Sequence, residues 1–193
     1  AREHYNIRGW GLGYFDINAQ GNIVVRPNNK SAHDIDLKVL VAEIQGKGLS
    51  LPVLIRFSDI LKASITNLAN AFQNSIEEYE FKGQYHGVYP IKVNQQRQVV
   101  EEVVRFGQPF NIGLEAGSKP ELHAILAILD IPEALLVCNG YKDEAFIRLA
   151  LMSQKLGKKV FIVVEKLDEL TLIDKVAKEL GVQPNIGFRI KLV

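Results

Sequence analysis

From residue 51 onward the chain repeats one pattern: a short apolar run, a polar turn, then a helix with one apolar stripe. Strand-like runs fall at 52–57, 88–93, 110–114, 134–138, 160–164 and 186–193. Helical stripes follow each run but the last: Leu61, Ile65, Leu68, Phe72, Ile76 and Tyr79; Val99, Val100, Val103 and Val104; Leu122, Ile125, Leu126 and Leu129; a helix over 143–156 stopped by Gly157; and Leu170, Ile173, Ala177 and Leu180 before Gly181. Apolar residues recurring three and four apart mark helices, and short β-rich runs between turn residues mark strands. The later repeats come roughly 22 to 26 residues apart, the spacing of β/α units in a parallel sheet. Two architectures share this rhythm. A phosphate-binding GxGxxG after the first strand is absent, which lowers the doubly wound nucleotide-binding sheet. The near-uniform repeats favour a TIM-like (β/α)8 barrel, of which about six of eight units are present.

Before the repeats lies a different segment. Residues 10–26 read as a hairpin, turning at Asn18-Ala19-Gln20-Gly21, where Asn and Gly supply the positive φ of a tight turn. A polar linker follows over 27–32, then a helix carrying Leu37, Leu40, Val41 and Ile44, with Gly46 and Gly48 as its stop. The chain therefore divides into an N-terminal hairpin and helix (1–50) and a partial barrel (51–193). Ser118-Lys119-Pro120-Glu121 reads as a capping box with proline in the first turn.

Composition narrows the function. With 193 residues and 47% apolar content the chain can bury a core, and a net charge of +1 without a basic block gives no footprint for nucleic acid. No apolar run approaches the roughly 20 residues of a membrane helix. Cys138 is the only cysteine, which excludes an internal disulfide framework and fits a cytoplasmic protein. It reads as a small core residue, since nothing nearby in sequence would lower its pKa. His4, His33, His86 and His123 show no metal-ligand spacing. The chain begins without methionine and stops inside a strand-like run, so it is expected to be part of something longer.

Side-chain parity supplies the candidate site. Side chains alternate faces along a strand. In 88–93, Tyr89, Ile91 and Val93 share one face, leaving Val88, Pro90 and Lys92 opposite. In 110–115, Phe110, Ile112 and Leu114 are the apolar set, leaving Asn111, Gly113 and Glu115. In 186–190, Gly187 and Arg189 lie opposite Ile186, Phe188 and Ile190. Three strands thus place Lys92, Glu115 and Arg189 on the face away from the helices, near their carboxyl ends, where barrel enzymes keep their chemistry. Glu165 is a fourth candidate. A lysine held in an apolar strand is costly unless paired, deprotonated or covalently used. Two plainer readings stay open: Lys92 as a solvated residue whose stem lies on apolar surface, and Glu115 with Arg189 as an ion pair closing the barrel end.

Val88-Tyr89-Pro90-Ile91-Lys92-Val93-Asn94-Gln95-Gln96 resembles the cofactor-lysine motif of biosynthetic arginine decarboxylases, pyridoxal-phosphate enzymes with an alanine-racemase-like barrel. The resemblance runs along almost the whole chain. Gly9-Trp10-Gly11-Leu12-Gly13-Tyr14-Phe15 is similar to that family's opening strand, and 51–61 to its first barrel strand. The stretch 110–122, Cys138-Asn139-Gly140-Tyr141-Lys142-Asp143 and Gly187-Phe188-Arg189-Ile190 also match in order. The resemblance implies that Lys92 carries pyridoxal 5'-phosphate as a Schiff base. It aligns Glu115 with an acidic residue near the cofactor, where related ornithine decarboxylases have aspartate. Glu121 falls on a second acidic position, and Arg189 on an arginine close to the cofactor. His86 stands where many relatives have glutamine. The implied activity is decarboxylation of L-arginine to agmatine and CO2 on the way to polyamines, by a homodimer or higher homo-oligomer.

Magnesium is also implied, although no ligand cluster can be assigned. The glycine-rich phosphate loop, the carboxylate for the pyridine nitrogen and a C-terminal β domain whose cysteine reaches a partner subunit are all expected beyond Val193. An isolated 193-residue chain is accordingly expected to be inactive, with two exposed sheet edges. The alternatives are a same-fold decarboxylase of ornithine, lysine or diaminopimelate, and a non-catalytic cofactor-binding homologue.

Overall fold

The computed structural model describes residues 1–27 and 34–190, which form two compact units, 1–64 and 65–193. Most of the 27–32 linker lies outside the described residues, as do the last three residues of the run at 186–193.

In the first unit, helix α1 (Ile7–Gly11) precedes an antiparallel sheet of β1 (Phe15–Ile17), β2 (Ile23–Val25) and β3 (Ile35–Asp36), followed by α2 (Leu37–Gly46). The expected hairpin is present, with Phe15 opposite Val25 and Ile17 opposite Ile23. The third strand was not expected. It arises because Asp36 joins the turn to the helix: its Oδ2 accepts from the side-chain amides of Asn18 (2.7 Å) and Asn22 (2.9 Å). Its Oδ1 caps α2 by accepting the N–H of Lys38 and Val39. The opening strand expected from residue 9 is confined to Phe15–Ile17, since Ile7–Gly11 is helical. The run 52–57 forms no ladder, which corrects the first barrel strand. Apolar content makes a strand only where a partner is available, Pro52 has no N–H to donate, and Leu54 is left exposed.

Asp16 holds this unit's charges together, accepting from Arg2 (2.6 Å) and Arg26 (3.1 Å). The Arg2 hydrogen bond first, then the Ile17 N–H, bring its carboxyl from an ordinary 3.8 to about 2. A depressed folded-state pKa gives stability that is present above 3.8 and is lost as pH falls toward 2. An NMR titration should show the Asp16 carboxyl protonating near the lower value; a midpoint near 3.8 would contradict the pairing.

The second unit holds the remaining strands, β4 (Val88–Pro90), β5 (Gly113–Ala116), β6 (Leu135–Cys138), β7 (Lys159–Val164) and β8 (Ile186–Phe188), all parallel and in the order β4-β5-β6-β7-β8. Sequential order without a reversal is barrel winding; a doubly wound sheet changes direction at a switch point. The connecting helices are α4 (Arg97–Gly107), α5 (Lys119–Ile128), α6 (Glu144–Lys155) and α7 (Asp168–Leu180). Helix α3 (Ser58–Glu78) precedes them, spanning the boundary between the units. The stripe of α3 sets its helical period but is not a buried face, since Leu68, Phe72 and Tyr79 are exposed. Phe72 stacks on Tyr85 at 4.0 Å between ring centroids.

The core lies between sheet and helices. Leu114 and Ala116 of β5, Leu136 and Cys138 of β6, and Val160, Ile162 and Val164 of β7 are buried against Leu122, Ile125, Phe146, Ile147, Leu151, Ile173 and Val176. Strand alternation then turns Glu115, Val137 and Phe161, which are neighbours in register, to the opposite face. That parity agrees with the sequence. Two strand boundaries do not. The run at 110–114 begins instead at Gly113, because 108–110 is a 3-10 turn and Asn111 adopts left-handed φ (51°). Asn is one of the few residues that tolerate this conformation, and it breaks an extended run. The run at 88–93 stops at Pro90 and becomes a 3-10 turn over Ile91–Val93.

Cys138 is fully buried, and burial, partly offset by the Lys142 charge, pushes its thiol up to about 12. Native protein at pH 8 should leave this thiol unlabelled by a thiol-disulfide reagent and release it on denaturation. Stoichiometric labelling without denaturant would contradict its burial.

Candidate active site

The site is assembled at the carboxyl ends of the parallel strands. Lys92 sits in the 3-10 turn directly after β4, between buried Ile91 and exposed Val93. Ile91 anchors the turn in the core, and the Tyr89 hydroxyl donates to the Asn94 carbonyl (3.3 Å) across it. Asn94 Oδ1 accepts the N–H of Gln96, turning the chain into α4. Within the described residues the Lys92 side chain is 62% exposed, where its sequence context suggests a lysine sealed into an apolar strand.

Glu115 is carried by β5, directly opposite Pro90 on one side and Val137 on the other. It is the better buried of the two, with 17% of its side chain exposed, and its Oε1 lies 3.5 Å from Lys92 Nζ. The strand register brings the pair together: Pro90 opposite Glu115 leaves Lys92 just beyond the end of β4, within reach of the neighbouring strand.

Arg189 follows β8 and extends its ladder by donating its N–H to the Val164 carbonyl (3.0 Å). Its Nη1 meets Glu165 Oε1 at 3.3 Å. The carboxylate partner of Arg189 is thus Glu165, not Glu115, which corrects the reading of those two as one closing ion pair. Glu165 Oε1 also accepts the Gly140 N–H (2.7 Å). Glu121 works one loop earlier, where Oε2 accepts the Gly117 N–H (2.6 Å) and Oε1 accepts from Gln95 Nε2 (2.8 Å). Ser118 caps α5 through Glu121 N as expected, but the Glu121 carboxylate reaches back to Gly117 rather than to Ser118. A cleft of about 470 Å³ lies beside this loop between α4 and α5, lined by residues such as Gln95, Val100, Glu121 and Ile128. Neither Lys92 nor Glu115 lines it.

Two site residues were missed by sequence reasoning. Lys142 is fully buried and pairs with Glu169 at 3.3 Å. Lys142 lies just before a helix expected from residue 143, and only its tertiary partner reveals the buried charge. Among the described residues no group of three or more His, Cys, Asp or Glu is placed to hold a metal ion, so the implied magnesium has no fitting donor set. No helix among the described residues is long and apolar enough to cross a membrane.

The parallel barrel sheet thus carries a lysine after one strand, a carboxylate on the next and an arginine farther along. The chain belongs to the pyridoxal-dependent decarboxylase family: the family model for the pyridoxal-binding domain matches residues 62–192. It is 54% identical over 192 residues to the biosynthetic arginine decarboxylase of Phocaeicola vulgatus, covering all of this chain and 30% of that protein. The enzyme of the same name from Vibrio cholerae is 48% identical over 194 residues, covering 99% and 30%. The crystal structure of the biosynthetic arginine decarboxylase SpeA from Campylobacter jejuni superposes with a TM-score of 0.87 at 32% identity, over 97% of this chain and 31% of that one. The resemblance read from the Lys92 motif is therefore borne out. The chain spans about 30% of the length of the curated relatives it matches.

Proposed function

We propose that the full-length protein decarboxylates L-arginine to agmatine and CO2, with Lys92 as the residue that carries pyridoxal phosphate. The observation that supports this most is the Lys92–Glu115 pair at 3.5 Å, held at the barrel mouth by strand register. The residues fit the cofactor: a primary amine at a solvent-accessible mouth can attack an aldehyde, and the carboxylate beside it can orient the amine. When bound, pyridoxal phosphate supplies the electron sink for the charge left on the α-carbon as CO2 departs.

The chain's own residues do the rest. Glu115 Oε1, 3.5 Å from Lys92 Nζ, orients that amine and could accept a proton leaving it. With substrate bound, the Lys92 amine would be placed to return a proton to the substrate's α-carbon. Arg189, paired with Glu165, would offer a positive charge to an anionic group of the cofactor. Magnesium is given no step.

The names of the relatives, all biosynthetic arginine decarboxylases, support arginine over ornithine, lysine or diaminopimelate. Retention of Lys92, Glu115 and Arg189 together supports an active enzyme rather than a non-catalytic homologue. A barrel domain beginning near residue 51, a homo-oligomeric assembly and a cytoplasmic location complete the proposal. The direct test is release of labelled CO2 by the full-length protein from arginine, ornithine, lysine and diaminopimelate in parallel. Preference for arginine is expected; equal or greater turnover of another amino acid would overturn the assignment.

A further inference from the structure

Lys142 and Glu169 are a buried charge pair that the proposed chemistry does not use. The Lys142 side chain has no exposed surface, and its ammonium lies 3.3 Å from Glu169 Oε2 while donating to the Gly140 carbonyl. Both oxygens of Glu169 also accept main-chain N–H groups, Oε1 from Lys142 (2.9 Å) and Oε2 from Glu165 (3.0 Å). Burial raises the Glu169 pKa, but those two N–H groups and then the Lys142 ammonium outweigh it, so the carboxyl lies below its ordinary value. Burying two charges costs several kcal/mol per ion, and apolar residues of similar volume are often as stable. Stability alone is thus a weak reason for this pair.

The loops it joins give a better one. Gly140 and Lys142 belong to the loop after β6, Glu165 and Glu169 to the loop after β7 and the start of α7. Glu165 is fixed from both ends: Glu169 accepts its N–H, and its own Oε1 accepts from Gly140, whose carbonyl Lys142 holds. Gly140 also approaches the preceding loop closely: a Cβ there would lie 2.5 Å from the Gly117 carbonyl oxygen. The far side of the same Glu165 oxygen meets Arg189.

We propose that Lys142 and Glu169 are a positioning clamp that sets Glu165 and, through it, the Arg189 guanidinium against the bound cofactor. Neither clamp residue touches the cofactor in this account. The inference rests on the reading of Lys92 and Arg189 given above.

A double-mutant cycle on the full-length protein tests it, read as the Kd for pyridoxal phosphate added to cofactor-free protein, with Tm measured alongside. Glu169→Gln should raise Kd roughly tenfold, the lower end of what losing a residue that orients metal ligands costs in affinity. Arg189→Ala should raise it at least as much. The double variant should stay within about twofold of Arg189→Ala alone, since coupled residues are non-additive. A purely structural pair would lower Tm and change Kd by the same factor in both backgrounds, or not at all, and either result overturns the clamp. Arg189→Ala with wild-type Kd beside a weakened Glu169→Gln would overturn the route through Arg189. If Glu169→Gln does not fold, Glu169→Asp keeps the charge, is one methylene too short to serve both loops, and runs in the same cycle. A wild-type protein that fails to bind the cofactor would sink the underlying reading, an outcome distinct from additivity.

Discussion

Lys92→Ala in the full-length protein should lower arginine decarboxylation by about a thousandfold or more, at least roughly 4 kcal/mol of barrier. Lys92 stands on a 3-10 turn after β4, held by Ile91 rather than packed in the core itself, so the fold should barely register its loss. Exposed substitutions away from packing usually change stability by no more than about 0.5 kcal/mol. Activity and Tm should therefore separate cleanly. Lys92→Arg sharpens the contrast, since arginine retains the charge facing Glu115 but is not a nucleophile at neutral pH. If the positive charge alone mattered, the arginine variant would retain most activity. The proposal predicts that it is as inactive as the alanine variant.

Gly113→Ala should produce the largest structural effect of a single methyl group. A Cβ at this position would collide with the Leu135 carbonyl oxygen, and the obstacle is backbone of the adjacent strand rather than a movable side chain. Gly113 is paired with Val88 in β4, and its N–H donates to the Gly87 carbonyl (2.8 Å), so the strand cannot step aside without losing a ladder bond. A cost of roughly 3 to 5 kcal/mol is expected, in the range of severe core disruptions. The same shift would move Glu115, two residues on, away from Lys92. Urea unfolding of the variant checks the first expectation; a midpoint equal to wild type would show that the strands relax freely.

Much of the architecture could be read because it is local. Periodicity gave α4 to α7, Ser118 marked the start of α5, and Gly181, with φ of 63°, ends α7 as expected. Strand parity placed Glu115 opposite Leu114 and away from the helices, and the structure agrees. What sequence could not supply was pairing. The run at 52–57 is apolar enough for a strand but has no ladder partner among the described residues, while β3 exists because Asp36 ties a turn to a helix. Strand ends were also missed, since they depend on single conformations such as that of Asn111.

The site divides the same way. Lys92 was recognisable from its motif, but its exposure depends on where β4 stops. The Lys142–Glu169 pair joins residues 27 apart in sequence across two loops, a contact that no local pattern encodes.

The most direct test is chemical. Full-length protein loaded with pyridoxal phosphate is reduced with borohydride and digested, and the peptides are examined by mass spectrometry for a pyridoxyl adduct. The adduct should fall on Lys92 alone. Lys142, in the loop after β6, should remain unmodified because its amine is buried and engaged by Gly140 and Glu169. An adduct on another lysine, or none at all, would contradict the assignment of Lys92.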